Sequence, residues 1–364
     1  MIVIGADPHK ATHTLAAVDA AIGELRGTKT AAARPAGHAQ LLAWARALDA
    51  ERVWAIEDCR HVSGALERFL TAHGERVLRV PPKLMGQSRR AERSAGKSDP
   101  IDALAVAGAA LRHGLESFPL AVLDAEAEEI RLLTDHRDDL VGERTRIQNR
   151  LRWHLHELWP ELAIPARSLD RPKWLDSIAG RLRRSEQSAR VRVCRDELRR
   201  IRELTRAVDA LERELGVLVA ARAPQLLELP GCGSLTAARL VADTAGATFA
   251  SDAKLARLAG VAPIPASSGN SRRHRLDRGG NRRLNCAIHV IALTQARCHG
   301  PARAYLERKQ GEGKSRKEAL RCLKRQLVRT LWRQLRTPGP DQEGDCLKDR
   351  LPTVNAPAPA LVLT

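Results

Sequence analysis

Two short apolar runs, each stopped by a carboxylate, constrain this chain more than any other feature. Ile2-Val3-Ile4-Gly5-Ala6 ends at Asp7, and Val53-Trp54-Ala55-Ile56 ends at Glu57. Short β-branched runs of this kind, bounded by turn residues such as the Pro8 that follows Asp7, read as buried strands, so both acids sit at strand exits. Around them the pattern alternates. Strands are expected near 2–7, 13–19, 27–33, 53–57 and 76–81, and helices near 36–49, 61–73 and 99–113.

A second acidic pair opens the last of those helices. In Lys97-Ser98-Asp99-Pro100-Ile101-Asp102-Ala103, the three-residue step puts Asp99 and Asp102 on one helical face. Pro100 suits the first helical position, with Ser98 or Asp99 as the cap. A hairpin through Pro8-His9-Lys10-Ala11-Thr12, a third strand and then helix–strand repeats follow the order of an RNase H-like sheet, an α/β domain over residues 1–118.

Asp7, Glu57, Asp99 and Asp102 thus come from two neighbouring strands and one helix. Phosphodiester chemistry typically uses two metal ions ~4 Å apart held by carboxylates. Hard oxygen ligands suit Mg²⁺ or Mn²⁺. Packed like charges would be costly without such ions. Any one of the four alone would pass for a cap or a surface charge; their joint placement makes the case for a metal site. Asp58 points to the opposite face of its strand and is left out. His9 and Lys10, in the turn after Asp7, either approach a phosphate or simply line a solvent-exposed turn.

The composition names the partner class. With 61 Lys and Arg against 43 Asp and Glu the formal charge is +18, and the pI near 10.5 favours a polyanion, nucleic acid above all. Aromatic residues make up only 3%, so Arg contacts to a phosphate backbone fit better than base stacking. Cys59, Cys194, Cys232, Cys286, Cys298, Cys322 and Cys346 show no CxxC or ligand-like spacing, which argues against a zinc site and a disulfide framework. No basic and apolar leader opens the chain and no run of about 18 apolar residues occurs, so a soluble, cytoplasmic protein, away from membranes, is expected.

At 364 residues, two or three domains are expected. From about 121 to 221 the pattern becomes long helices. Ile130, Leu133, Leu140, Ile147, Leu151, Leu155 and Leu158 form one seam, and Leu198, Ile201, Leu204, Val208, Leu211, Leu215 and Leu218 another. Two coiled-coil arms over 119–222, antiparallel or dimer-forming, follow; the alternative is plain helices packed on a domain. Between the seams, Trp159-Pro160 to about Gln187 reads as a connecting element rather than a third core. A mostly helical unit is expected over 223–336. Its residues 271–336 carry 19 Lys and Arg against four Asp and Glu, so the basic surface is concentrated there. Residues 337–364, rich in Pro, Ala and Asp, are expected to be a disordered tail.

Two loops in this last unit carry chemistry. Pro230-Gly231-Cys232-Gly233-Ser234 resembles the turn of a helix-hairpin-helix, where Gly231 and Gly233 would let backbone N–H groups approach a phosphate; a simple helix–helix turn is the alternative. Ala259-Gly260-Val261-Ala262-Pro263 runs through Ser267-Ser268-Gly269 into Arg272, Arg273, Arg275, Arg278, Arg282 and Arg283. A Ser beside a flexible Gly, ringed by cations, suits a phosphoryl-transfer nucleophile. Spacing alone equally describes a flexible basic phosphate-binding loop.

In this order, Gly5-Ala6-Asp7, Lys97 to Ala103, Pro230-Gly231-Cys232-Gly233 and Ala259 to Gly269 resemble the IS-one-ten family of bacterial insertion-sequence transposases. The resemblance covers residues 1 to about 335. It implies a RuvC-like domain with an Asp-Glu-Asp-Asp tetrad at Asp7, Glu57, Asp99 and Asp102, a coiled-coil middle and a C-terminal domain whose nucleophile is Ser268, preceded here by a second Ser267. It further implies donor and target DNA as substrates, a structured noncoding bridge RNA as guide, and active sites shared between subunits of a homodimer or higher homo-oligomer. Two rival readings remain: a RuvC-like metal-dependent nuclease that uses water, and a non-catalytic nucleic-acid-binding remnant.

Overall fold

A computed structural model describes residues 1–82, 84, 98–266, 274–277 and 279–336. Its first apolar run forms β1 (Ile2–Pro8), buried along its whole length, and turns back into β2 (Thr12–Asp19) and β3 (Leu25–Ala32). Helix α1 (Pro35–Leu48), β4 (Arg52–Glu57), α2 (Arg60–Ala72), β5 (Val77–Val80) and α3 (Asp99–His113) follow. The strands lie in the order β3-β2-β1-β4-β5. β1–β2 and β2–β3 are antiparallel, while β1–β4 and β4–β5 are parallel. This is the RNase H-like order expected from the hairpin and the helix–strand repeats.

Both faces of the sheet are covered, which explains why its inner strands read as continuous apolar runs. Ile2, Ile4, Ala6, Trp54 and Ile56 face Leu41, Leu42, Leu66 and Leu70 of α1 and α2. Val3, Val18, Ala55 and Val80 face Ala105, Val106, Ala109 and Ala110 of α3. Helix α3 lies in backbone contact with β1 because position 5 is glycine: a Cβ there would fall 2.0 Å from the Ala103 carbonyl oxygen.

After β6 (Leu120–Ala121), helix α4 (Ala125–Leu158) extends as one arm. It is joined through α5 (Pro172–Arg184) to α6 (Ala189–Arg222), an arm of the same length. The ion pairs Asp124–Arg222, Glu212–Arg137, Glu197–Arg150 and Glu157–Arg190 run in opposite order along the two helices, so the arms are antiparallel. Ile130, Ile147, Leu151 and Leu155 are buried on one, and Leu198, Ile201, Leu204, Val208 and Leu215 on the other. The linking segment, expected to be a mere connection, builds a core of its own. Leu169, Leu175, Ile178 and Leu182 are buried against Leu151, Leu155 and Leu198. Its apolar positions keep helical spacing but are interleaved with arginines, which mask them in the sequence.

The base of the arms is embedded in the last unit, made of α7 (Pro224–Leu227), α8 (Ser234–Thr244), β7 (Ala247–Thr248), α9 (Asp252–Leu258), the two-stranded ribbon β8 (Ile264–Pro265) and β9 (His274–Arg275), α10 (Arg282–Cys298), α11 (Gly300–Gly311) and α12 (Arg316–Arg336). Ala127, Ile130, Leu215 and Val219 share one core with Leu240, Ile288, Ile291 and Val328. The element before the Gly231 turn is only the four-residue α7, directly after α6.

The last unit also completes the sheet. β7 pairs with β6, and β6 with β5, giving seven strands. Arg79 of β5 reaches across the junction: it is buried, donates to Glu67 of α2 at 2.6 and 2.8 Å and to the Ala245 carbonyl at 2.9 Å. Among the described residues no helix is long and apolar enough to cross a membrane. The segment 337–364, expected to be a disordered tail, lies outside the described residues.

Candidate active site

Strand parity assembles the acids. Val3, Gly5 and Asp7 share one face of β1, and Val53, Ala55 and Glu57 one face of β4; Val3 and Ala55 both pack on α3. Ala6 pairs with Ile56 in the parallel register, so Asp7 and Glu57 follow as the next residue on each strand. Helix α3 starts over the same end of the sheet. Ser98 is its N-cap residue in an extended conformation, Pro100 stands in the first turn, and Asp99 and Asp102 are the acids of that turn. The positive end of the helix partly offsets their charge.

Asp7 and Asp102 are buried, each about 6% exposed, whereas Glu57 is half-buried and Asp99 exposed. Asp7, Asp99 and His9 come together most tightly: one ligand atom from each lies within 4.8 Å of the others. His9 Nδ1 stands 3.5 Å from Asp7 Oδ2. Glu57 and Asp102 share the α3-facing side but are not part of that three-residue cluster. Two carboxylates and an imidazole form a donor set that fits a divalent cation. The sequence places His9 in a turn that either approaches a phosphate or lies open to solvent; its position beside Asp7 and Asp99 depends on how the tight β1–β2 turn folds back, which no spacing rule encodes.

The charge at this end of the sheet is felt by a neighbour. Burial first, and then the Glu57, Asp58 and Asp7 carboxylates, together push the Cys59 thiol up to about 12. Cys59 is therefore a protonated thiol at neutral pH and no competitor for the cation.

In the last unit the expected nucleic-acid residues divide. Arg275, on β9, and Arg282, at the start of α10, are exposed. Arg283 is engaged by Asp135, by Asp138 at 3.9 Å and by Asp243 at 3.8 Å, knitting α10 to α4 and α8. Gly231 has φ +86°, and a Cβ on it would meet Thr294 at 2.9 Å, so it faces α10. Gly233, the N-cap residue of α8, has open space around it. Ser268, Arg272, Arg273 and Arg278, with the neighbouring Ser267, lie outside the described residues.

The two glycine motifs flanking that loop pack back to back. A Cβ on Gly280 would sit 2.2 Å from the Gly260 nitrogen, Gly260 has φ +61°, and Asn281 N donates to the Leu258 carbonyl at 2.6 Å. Above this clasp, Ile264 pairs with Arg275 and Pro265 with His274. Asn285 donates to the carbonyls of Ala259 at 2.7 Å and Gly260 at 3.1 Å, and accepts from Lys324 Nζ at 2.6 Å. Sequence reasoning missed Asn285 and Lys324, whose link to the loop is purely tertiary.

An RNase H-like sheet with acids converging at one end of β1, β4 and α3 defines a metal-binding, phosphodiester-processing class of domain. The comparisons narrow it. A DEDD transposase model of the IS110 type matches residues 4–160, and the model described as transposase IS116/IS110/IS902 family matches residues 223–307. The 44.8 kDa protein of insertion element IS116 from Streptomyces clavuligerus is 30% identical over 93% of this chain and 97% of its own length. The 42 kDa protein of insertion element IS900 from Mycobacterium paratuberculosis is 30% identical over 79% and 83%. The 43.6 kDa protein of insertion element IS110 from Streptomyces coelicolor is 30% identical over 70% and 73%. Among solved structures, T. thermophilus RuvC in complex with a Holliday junction substrate aligns with 31% of this chain and 96% of its own at 18% identity and a TM-score of 0.25, too low to add to the topology above. The chain belongs to the IS110/IS116 family of insertion-sequence transposases, and it is an enzyme of DNA transposition.

Proposed function

We propose that this transposase cuts and rejoins donor and target DNA with a two-part active site: Asp7, Glu57, Asp99 and Asp102 as the metal-binding half and Ser268 as the nucleophile, guided by a bridge RNA. The observation that carries the metal-binding half is the convergence of Asp7, His9 and Asp99 within 4.8 Å at the end of β1. Mg²⁺, or Mn²⁺, held there would supply positive charge to the scissile phosphate. Asp7, Glu57, Asp99 and Asp102 would hold the metal, with His9, drawn up to Asp7 and Asp99, as an added ligand. Ser268 Oγ would form a bond to phosphorus, giving its proton to the strand-end oxygen that leaves. Arg272, Arg273, Arg275, Arg278 and Arg282 would neutralise the charge that builds on the phosphate.

A homodimer or larger assembly is supported by how the last unit is mounted. Lys254 of α9 donates to Ser117 just past the far end of α3, so α9 is anchored there, while Asp99 opens the near end. Fifteen helical residues span roughly 20 Å at ~1.5 Å each. A serine domain fixed at that end favours a partner subunit's carboxylates, and the α4–α6 arms, read as a coiled coil, are the candidate dimer contact. The Gly233 turn, read as helix-hairpin-helix-like, and the basic last unit are candidate contacts to DNA and RNA.

The test is excision and insertion of a marked element by purified protein with its copurifying RNA. Asp7→Ala and Ser268→Ala should each abolish recombination while leaving RNA binding intact. Full recombination by Ser268→Ala would sink the serine role, with Ser267→Ala run alongside to see whether the neighbour substitutes. A trapped covalent protein–DNA adduct would exclude the water-using nuclease, and metal-dependent cleavage would exclude a non-catalytic remnant.

A further inference from the structure

Beneath the β8–β9 ribbon lies a cavity of about 440 Å³, walled by the Gly260–Pro263 segment, α11 and α12. Its charged lining sets Arg275, Lys314, Arg321 and Lys324 against Asp277, Glu312 and Glu318. Other cations nearby have partners. Lys309 bonds Glu312, and Arg325 bonds Asp252 at 2.7 Å. Arg321 donates to the His274 carbonyl at 3.3 Å and lies 3.8 Å from Glu318.

Lys324 differs from all of these. It is only 6% exposed, its ammonium donates to the neutral Asn285 side chain, and among the described residues no carboxylate pairs with it. A buried ammonium without a counter-charge is expensive, and the cost is relieved when an anion arrives from outside. Burial accordingly pushes the Lys324 amine down to about 8, so it remains largely charged at neutral pH.

We propose that this cavity is a phosphate-binding site, with Lys324 as its buried charge and Arg321 and Lys314 at its wall. Lysine acts as a point charge toward phosphate oxygens, and Asn285 holds the ammonium by one hydrogen bond, leaving its other protons for a ligand. Asn285 also bonds the backbone of Ala259 and Gly260, so a phosphate on Lys324 would be tied to the segment that enters the ribbon. The same phosphate chemistry could come from a nucleic-acid backbone or from a free phosphate. The proposal rests on the transposase reading for its preference for a strand, but not for the site itself.

The experiment measures binding of two probes by the full-length protein: a short, labelled abasic phosphodiester strand by fluorescence anisotropy, and inorganic phosphate by ³¹P NMR. Lys324→Met should weaken both by about tenfold or more, the scale of a lost hydrogen bond to a charged group. Arg321→Gln and Lys314→Gln, at partly exposed positions, should each weaken the strand severalfold and will decide the matter if Lys324→Met does not fold. Loss confined to inorganic phosphate would support the site with a free phosphate as its ligand. Unchanged affinity for both probes in the folded variants would overturn it. Metal-dependent cleavage by wild type alongside unchanged Lys324→Met binding would sink the pocket and spare the transposase reading. Lys324-dependent binding without any cleavage would do the reverse.

Discussion

Gly5 and Ala103 touch backbone to backbone: a Cβ on Gly5 would stand 2.0 Å from the Ala103 carbonyl oxygen and 2.6 Å from the Ala107 nitrogen. Two residues on from Gly5 is Asp7; one turn back from Ala103 is Asp99, and directly before it is Asp102. This contact therefore sets the distance between the strand acid and the helix acids.

Gly5→Ala should push α3 off β1, because both obstructing atoms are backbone and cannot rotate away. Overpacking of this kind costs about 1–3 kcal/mol. The larger effect is expected on function: Mn²⁺ binding and DNA cleavage lost at temperatures where the variant is still folded. Calorimetric titration with Mn²⁺ beside a thermal melt reads both, and a variant that binds Mn²⁺ like wild type would show that α3 does not set the site.

His9→Ala tests the ligand that the β1–β2 turn supplies. The side chain is half-exposed, so its removal should leave the melting temperature unchanged. Divalent-ion affinity should fall by about tenfold, at the lower end of what lost ligand-orienting groups cost. Asp7→Asn should fall further. Equal affinity in His9→Ala and wild type would reduce His9 to a neighbour of Asp7.

Much of the first domain was legible because its signals are local. Runs such as Ile2 to Ala6, bounded by Pro8, mark strands, and Ser98-Asp99-Pro100 marks a helix start; five strands and three helices fall within a few residues of expectation. The acids at the strand ends followed from the same patterns. Strands β6 and β7 have two residues each, too short for any periodicity, so the joining of the last unit to the sheet was invisible. The α5 core was hidden by arginines on its exposed face. Asn285 lies 25 residues from Gly260 and 39 from Lys324, and no local rule links residues so far apart.

Breaking the Arg79–Glu67 pair should loosen that hidden joint. Both side chains are buried, and leaving one partner of a buried pair behind costs about 3–5 kcal/mol. Glu67→Gln should also free the guanidinium that holds the Ala245 carbonyl next to β7. Limited proteolysis should then cut near 245–250 faster than in wild type, with urea denaturation reporting the lost stability. Unchanged cleavage at that junction would mean that the shared core of the arms, not Arg79, holds the last unit in place.

Lys324 carries a pH signature that separates it from the other lysines. Its folded value, about 8, lies below the ordinary 10.5, so between these values the unfolded chain binds the extra proton and the folded chain does not. Stability contributed at this site therefore rises with pH across that window, and the burial penalty is fully present below about pH 8. The shift corresponds to about 3 kcal/mol at most. In phosphate-free buffer, unfolding free energies of wild type should climb relative to Lys324→Met as pH goes from about 7 to about 10.5. His289 of α10 and Cys286 also face the amine, and Cys286 holds its value up, so the rise should steepen in a Cys286→Ser background. Parallel wild-type and Lys324→Met curves would mean that the ammonium is solvated in the folded protein, and would remove the reason for an anion to enter the cavity.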